Sequence, residues 1–146
     1  MARHRGAACV FIFQGPHAYI SPRWYADTRN QVPTWNYITA HVYGKVRITR
    51  DDSELQRIVV ALAQKFEAGA ATPWTLAASG PDTGTRVRGV VGFELHADSV
   101  QIKPKLSQNQ PVVNVEGAIA GLRATGSEDA AAVAALMQKE LERRGS

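Results

Sequence analysis

From Ile38 to Ile48 every even position is apolar or glycine and every odd one is polar or amphipathic, the alternation of a strand with one face in a core. Gly44, at its centre, predicts a bulge or bend. The unbroken apolar run Ala7-Ala8-Cys9-Val10-Phe11-Ile12-Phe13 has strand length. Strand character returns over Gly89–Leu95. After a turn expected near Ala97-Asp98, Val100, Ile102 and Leu106 alternate with Gln101, Lys103, Lys105 and Ser107. Pro104 interrupts that run and assigns it to a sheet edge or to a strand ending in a loop. Two stretches carry the helical period instead. Asp51 or Asp52 caps the first, Glu54 follows three residues after Asp51, and Leu55, Ile58, Val59, Leu62 and Phe66 form its apolar stripe up to a stop at Gly69. The second spans 127–144, with Ser127 as cap, Glu128 and Asp129 in its first turn, an apolar stripe of Val133, Leu136, Met137 and Leu141, and Arg143 and Arg144 at its negative end. A short helix is expected around Val115–Leu122, and 70–86, with Pro73, Gly80, Pro81 and Gly84, reads as an irregular connection. The order of elements predicts an α+β fold with an antiparallel sheet or small barrel.

The length of 146 residues fits one domain over 1–146, with 1–8 as a tail. An apolar content of 45% with 21% charged residues is that of a globular chain. No apolar run reaches the ~18 residues a bilayer span needs. Met1-Ala2-Arg3-His4-Arg5-Gly6 imitates the basic start of a signal peptide, but the run that follows is short and ends in Gln14 instead of a small-residue cleavage site. The expectation is a soluble, cytoplasmic protein with no membrane partner. Cys9 is the single cysteine, which excludes an internal disulfide or a multi-cysteine zinc site, and its apolar strand makes it a buried space-filler. The net charge of +4 is spread along the chain with no basic block, so direct DNA binding is not expected.

Aromatic placement changes the picture. Of eleven aromatics, eight lie between Phe11 and Tyr43. If the alternating strand extends back to Trp35, then Trp35, Tyr37, Thr39, His41 and Tyr43 share one face. Such a face offers flat surfaces and orienting donors for a planar ring, or else fills a barrel interior. Lys103 and Lys105, on one side of their strand and followed by Ser107, Gln108 and Asn109, suit an anionic group such as phosphate, with two solvated edge lysines as the plain alternative. No metal is expected at His17 or His41, which lack a carboxylate or cysteine at ligand spacing. Neither a dinucleotide-binding glycine fingerprint nor a P-loop is present, and no serine–histidine–aspartate arrangement can be assigned.

Three segments together carry a resemblance: Phe13-Gln14-Gly15-Pro16-His17-Ala18-Tyr19-Ile20-Ser21-Pro22-Arg23-Trp24-Tyr25, then Val32-Pro33-Thr34-Trp35-Asn36-Tyr37-Ile38-Thr39-Ala40-His41-Val42-Tyr43-Gly44, then Lys105-Leu106-Ser107-Gln108-Asn109-Gln110. In this order and spacing the chain resembles the PaiB-type family, the FMN-binding negative transcriptional regulators. The resemblance implies a split β-barrel with flanking helices, a homodimer, and FMN at the subunit interface. It makes Trp35, Asn36, Tyr37 and His41 candidates for the ring side of the flavin site, and Lys105, Ser107, Gln108 and Asn109 for its polar side. Ser21 joins them as a candidate by motif position, and no catalytic residue is assigned. Two departures stand out. Only Met1–Val10 precede Phe11, so the family's first barrel strands are expected to be lacking, and Gln110 stands where the family commonly has arginine. A flavin-dependent oxidoreductase on the same fold, or a cofactor-free dimeric interaction module, are the alternatives.

Overall fold

The computed structural model describes residues 7–76, 79–80 and 82–145. It is α+β, and its three-stranded antiparallel sheet has the order β1-β2-β3. In chain order the elements are β1 (Ala7–Ile20), a 3-10 turn (Pro22–Trp24), β2 (Thr34–Thr49), α1 (Asp52–Glu67), α2 (Thr83–Arg88), β3 (Gly92–Lys105), α3 (Val112–Arg123) and α4 (Glu128–Gly145). The described residues form two compact units, 7–9 with those of 43–98, and 10–42 with 99–145. Each of the three strands therefore belongs partly to one unit and partly to the other.

In the unit containing Tyr43–Asp98, Asp51 caps α1 as expected, its Oδ1 accepting from the Glu54 backbone N–H at 3.0 Å. The expected apolar stripe is only partly used. Leu55 is buried, whereas Ile58, Leu62 and Phe66 are exposed to 43, 57 and 75%. The reason lies at Gly92. A Cβ there would meet Leu55, Ile58 and Thr49, so α1 touches the sheet with its first turns and projects its later turns to solvent. Two other expectations are corrected. The connection over 70–86 contains the start of α2, anchored by the buried Val87; Pro81 lies outside the described residues. The chain does not turn at Ala97-Asp98, and β3 runs unbroken from Gly92 to Lys105. The backbone at Gly44 approaches the His96 carbonyl and the Ala97 Cα so closely that no side chain fits there, which holds β3 extended alongside β2. Gly44 is thus a close-approach glycine within a continuous strand. Cys9 is half-buried, not buried, and its Sγ donates to the Gly44 carbonyl at 3.5 Å.

The other unit holds the hydrophobic core, in which Ala18 and Ile20 of β1 and Leu106 beyond β3 pack on α3 and α4. Val115, Ile119 and Leu122 of α3 face Val133, Ala134 and Met137 of α4, all nearly or fully buried. Gly117 and Gly121 lie one helical turn apart on α3, and a Cβ at either would strike Trp24. This pair of glycines is what lets the Pro22–Trp24 turn lie flat on the helix. The C-terminal helix is expected over 127–144 and observed at Glu128–Gly145, with the Ser127 Oγ accepting from the Ala130 N–H at 3.5 Å. Pro104 lies inside β3, which a strand at the sheet edge allows.

Candidate functional site

Odd positions of β2 share one cleft, which Ile38 also reaches. Trp35, Tyr37, Thr39 and His41 line this cleft of about 390 Å³, within the range of ligand pockets. Ile12, Gln14 and His17 of β1 complete the walls. The two strands approach closely here, since a Cβ on Gly15 would lie 3.3 Å from the Ile38 carbonyl oxygen. Trp35 is half exposed. Its ring lies 5.5 Å from that of His17 and meets Tyr19 edge-on at 6.3 Å. The result is an aromatic wall with amide, hydroxyl and imidazole groups at its rim.

Asn36 points the other way. It is fully buried, its Nδ2 donating to the Ser107 Oγ at 2.9 Å and lying 3.2 Å from the Met137 Sδ. The Ser107 hydroxyl donates back to the Asn36 Oδ1 at 3.3 Å. Ser107 holds a left-handed backbone, φ 61°, uncommon for a non-glycine residue and sustained by these bonds. The turn beyond it is fastened on every side. The Gln108 Oε1 accepts from the Leu106 N–H at 2.7 Å while its Nε2 donates to the Pro104 carbonyl at 2.9 Å. The Arg144 guanidinium of α4 donates to the Ser107 carbonyl at 3.2 Å and, at 3.5 Å, to that of Gln110. Gln110 in turn accepts from Asn114 at 3.0 Å. Tyr25 packs beneath; burial pushes its phenol above the ordinary value of 10.0, and a hydrogen bond with Ser107 opposes that shift. Lys105 donates to the Thr34 Oγ1 at 2.5 Å and, with Ser107 and Asn109, lines a smaller cleft of about 230 Å³ that Asn36 also reaches.

The structure thus brings Trp35, Tyr37 and His41 together in one cleft and Asn36, Lys105, Ser107 and Asn109 in another. Gln108 is spent on the backbone of its own turn. Ser21 lies elsewhere, buried at the cap of the Pro22–Trp24 turn, where its Oγ accepts from the backbone N–H and the Nε of Arg23, both at 3.3 Å. Gln14 and His17 are lining residues that strand reading of β2 alone misses, and Arg144 reaches its turn from a helix 37 positions on. The signal for Gln14 and His17 was present in the Phe13–Tyr25 segment; none pointed to Arg144.

The half-exposed aromatic wall and its cleft of about 390 Å³ lie within the span over which sequence comparison assigns the protein to a family. Residues 1–99 match the family described as "Putative FMN-binding domain", and the chain belongs to that family. It is 34% identical to the Protease synthase and sporulation protein PAI 2 of Bacillus subtilis, a match covering 92% of this chain and 64% of the relative. It is 28% identical to an uncharacterized protein of Emericella nidulans, over 91% of this chain and 59% of that one. A stretch of 49 residues is 45% identical to an uncharacterized protein of Saccharomyces cerevisiae. The chain spans 64% of the Bacillus relative and 59% of the Emericella one, less than two thirds of either. Among the described residues no helix is long and apolar enough to cross a membrane.

Proposed function

We propose that this protein binds FMN against the Trp35 wall and acts, as a cytoplasmic homodimer of split-barrel subunits, in PaiB-type negative regulation of transcription. The observation that carries the reading is the half-exposed Trp35 in a cleft of about 390 Å³ inside the family-matched span. The residues present fit the group. Trp35 and Tyr37 give π faces for a planar tricyclic ring, and Gln14, Thr39 and His41 give donors and acceptors for its polar edge. Bound there, FMN supplies a redox-active ring. Lys105, Ser107 and Asn109, with Gln108 shaping their turn, are the polar groups for the phosphate, reached from a second copy of the chain. Asn36 supports the polar side through its bonds with Ser107. The Bacillus relative is named a protease synthase and sporulation protein, which supports a regulatory role here.

The test is thermal unfolding of the purified chain with increasing FMN, alongside its visible absorption. Binding to the native state alone stabilises by about 2.7 kcal/mol at a hundred times the dissociation constant. A midpoint that rises with FMN and rises less with riboflavin supports both the ring and phosphate assignments. A midpoint indifferent to FMN over a wide concentration range overturns the reading.

A further inference from the structure

A second cleft, of about 470 Å³, lies between the end of β1, the Pro22–Trp24 turn and the start of α4. It shares only His17 and Trp35 with the cleft assigned to FMN. Its walls are unusually aromatic for an open surface: Tyr19 and Trp35 are exposed to 44 and 50%, and Trp24 backs them, pressed onto Gly117 and Gly121. Arg23 stands at the rim. Its Nε and backbone N–H are spent on the Ser21 Oγ, and among the described residues no carboxylate pairs with its guanidinium. The Ser127 Oγ, which accepts from Ala130, keeps its own proton for donation into the same space. On the opposite side Asp129 lies 3.9 Å from the His17 Nε2.

We propose that this cleft is a separate binding site for a small planar aromatic carboxylate. The ring lies against Tyr19, Trp24 and Trp35, and the carboxylate meets the Arg23 fork, with the Ser127 hydroxyl as an additional donor. A guanidinium without a protein carboxylate beside three aromatic rings is the combination that selects an anionic arene over a neutral one. Asp129 opposes the anion, so it limits affinity and sets which end of the ligand enters. The site does not require flavin, and its occupancy is readable apart from it.

The experiment is an amide chemical-shift titration of the whole chain with benzoate, with indole-3-carboxylate, and with benzamide as the neutral isostere. Benzoate is expected to move the amides of Tyr19, Arg23, Trp24 and Ser127–Ala130, with a dissociation constant on the order of 1 mM for a ligand so small. Indole-3-carboxylate binds tighter and benzamide about fivefold weaker. Arg23→Gln removes the preference for benzoate over benzamide, and Asp129→Asn strengthens benzoate binding about twofold. Because the benzamide comparison leaves the protein unaltered, it stands even if Arg23→Gln disturbs the turn. Shifts confined to other parts of the chain, or equal affinity for benzoate and benzamide in the unaltered protein, overturn the proposal.

Discussion

Asn36→Ala separates a side chain that holds the fold from one that waits for a ligand. Asn36 is fully buried and exchanges two hydrogen bonds with Ser107, at 2.9 and 3.3 Å. Each such bond contributes about 0.5–1.5 kcal/mol net, and a buried hydroxyl left with fewer partners costs a further 1–3 kcal/mol. Ser107 retains its bond with Tyr25, so the lower part of that second range applies. The expected loss is about 2–4 kcal/mol, which for a chain of this size lowers the thermal midpoint by roughly 6–12 °C. Urea unfolding followed by circular dichroism measures it. Because Ser107 sits at φ 61°, the Lys105–Gln110 turn should loosen along with it, visible as faster amide exchange at Gln110, whose N–H donates to the Ser107 carbonyl at 3.0 Å. Ser107→Ala removes the same contact from the other side, and the double variant should lose about 1 kcal/mol less than the sum of the two single losses. A change below 0.5 kcal/mol for Asn36→Ala, or strict additivity, would show that the Asn36–Ser107 contact does not hold the turn.

Gly121→Ala drives a methyl group into the Trp24 ring; overpacking of about 1–3 kcal/mol outweighs the roughly 1 kcal/mol gained in helix propensity, and chemical denaturation should report a net loss. Trp35→Ala should weaken FMN binding about three- to tenfold in a fluorescence titration, and unaltered affinity would remove Trp35 from the site. Hydrogen bonds to Glu54 from Thr49 and Arg47, and to Glu94 chiefly from Arg47, hold both carboxyls below the ordinary 4.5. Their stabilisation is complete above that value and lost as pH falls through the lowered folded values, so Arg47→Gln should flatten the acid limb of a urea-midpoint profile. Tyr25, raised by burial, acts oppositely: its contribution is intact below 10.0 and lost as pH rises through its higher folded value, and its phenolate absorption should appear at higher pH in the folded than in the unfolded chain.

Periodicity revealed α1, α4 and β2 as elements, but not fully which faces they bury: Leu55 alone of the α1 stripe is buried, and on β2 the expected core residue Ile48 is exposed while Thr49 is buried. Alternation along β2 separates Asn36 from Trp35 and Tyr37, although grouping by motif had placed them together. Where packing comes from far along the chain the pattern was silent. The left-handed Ser107 is sustained by Asn36 and Tyr25, and Arg144 arrives at its turn from another helix, with no local trace of either in the sequence. The turn expected at Ala97-Asp98 failed for a related reason. Asp and Ala are weak strand formers, but the close approach of Gly44 keeps β3 straight through them. α2 escaped notice because its six residues, Gly84 among them, are too few to carry a helical period, and the buried Val87 holds them instead. The aromatic cluster was visible as composition, while its division between two clefts depends on where β1 ends.

The crossing of all three strands between the two compact units has a practical consequence. Neither unit is one uninterrupted run of codons, so trimming the gene from either side cannot isolate the half with the aromatic clefts. A minimal version would have to be rewired, joining Val42 to Ser99 through a new linker and discarding everything in between.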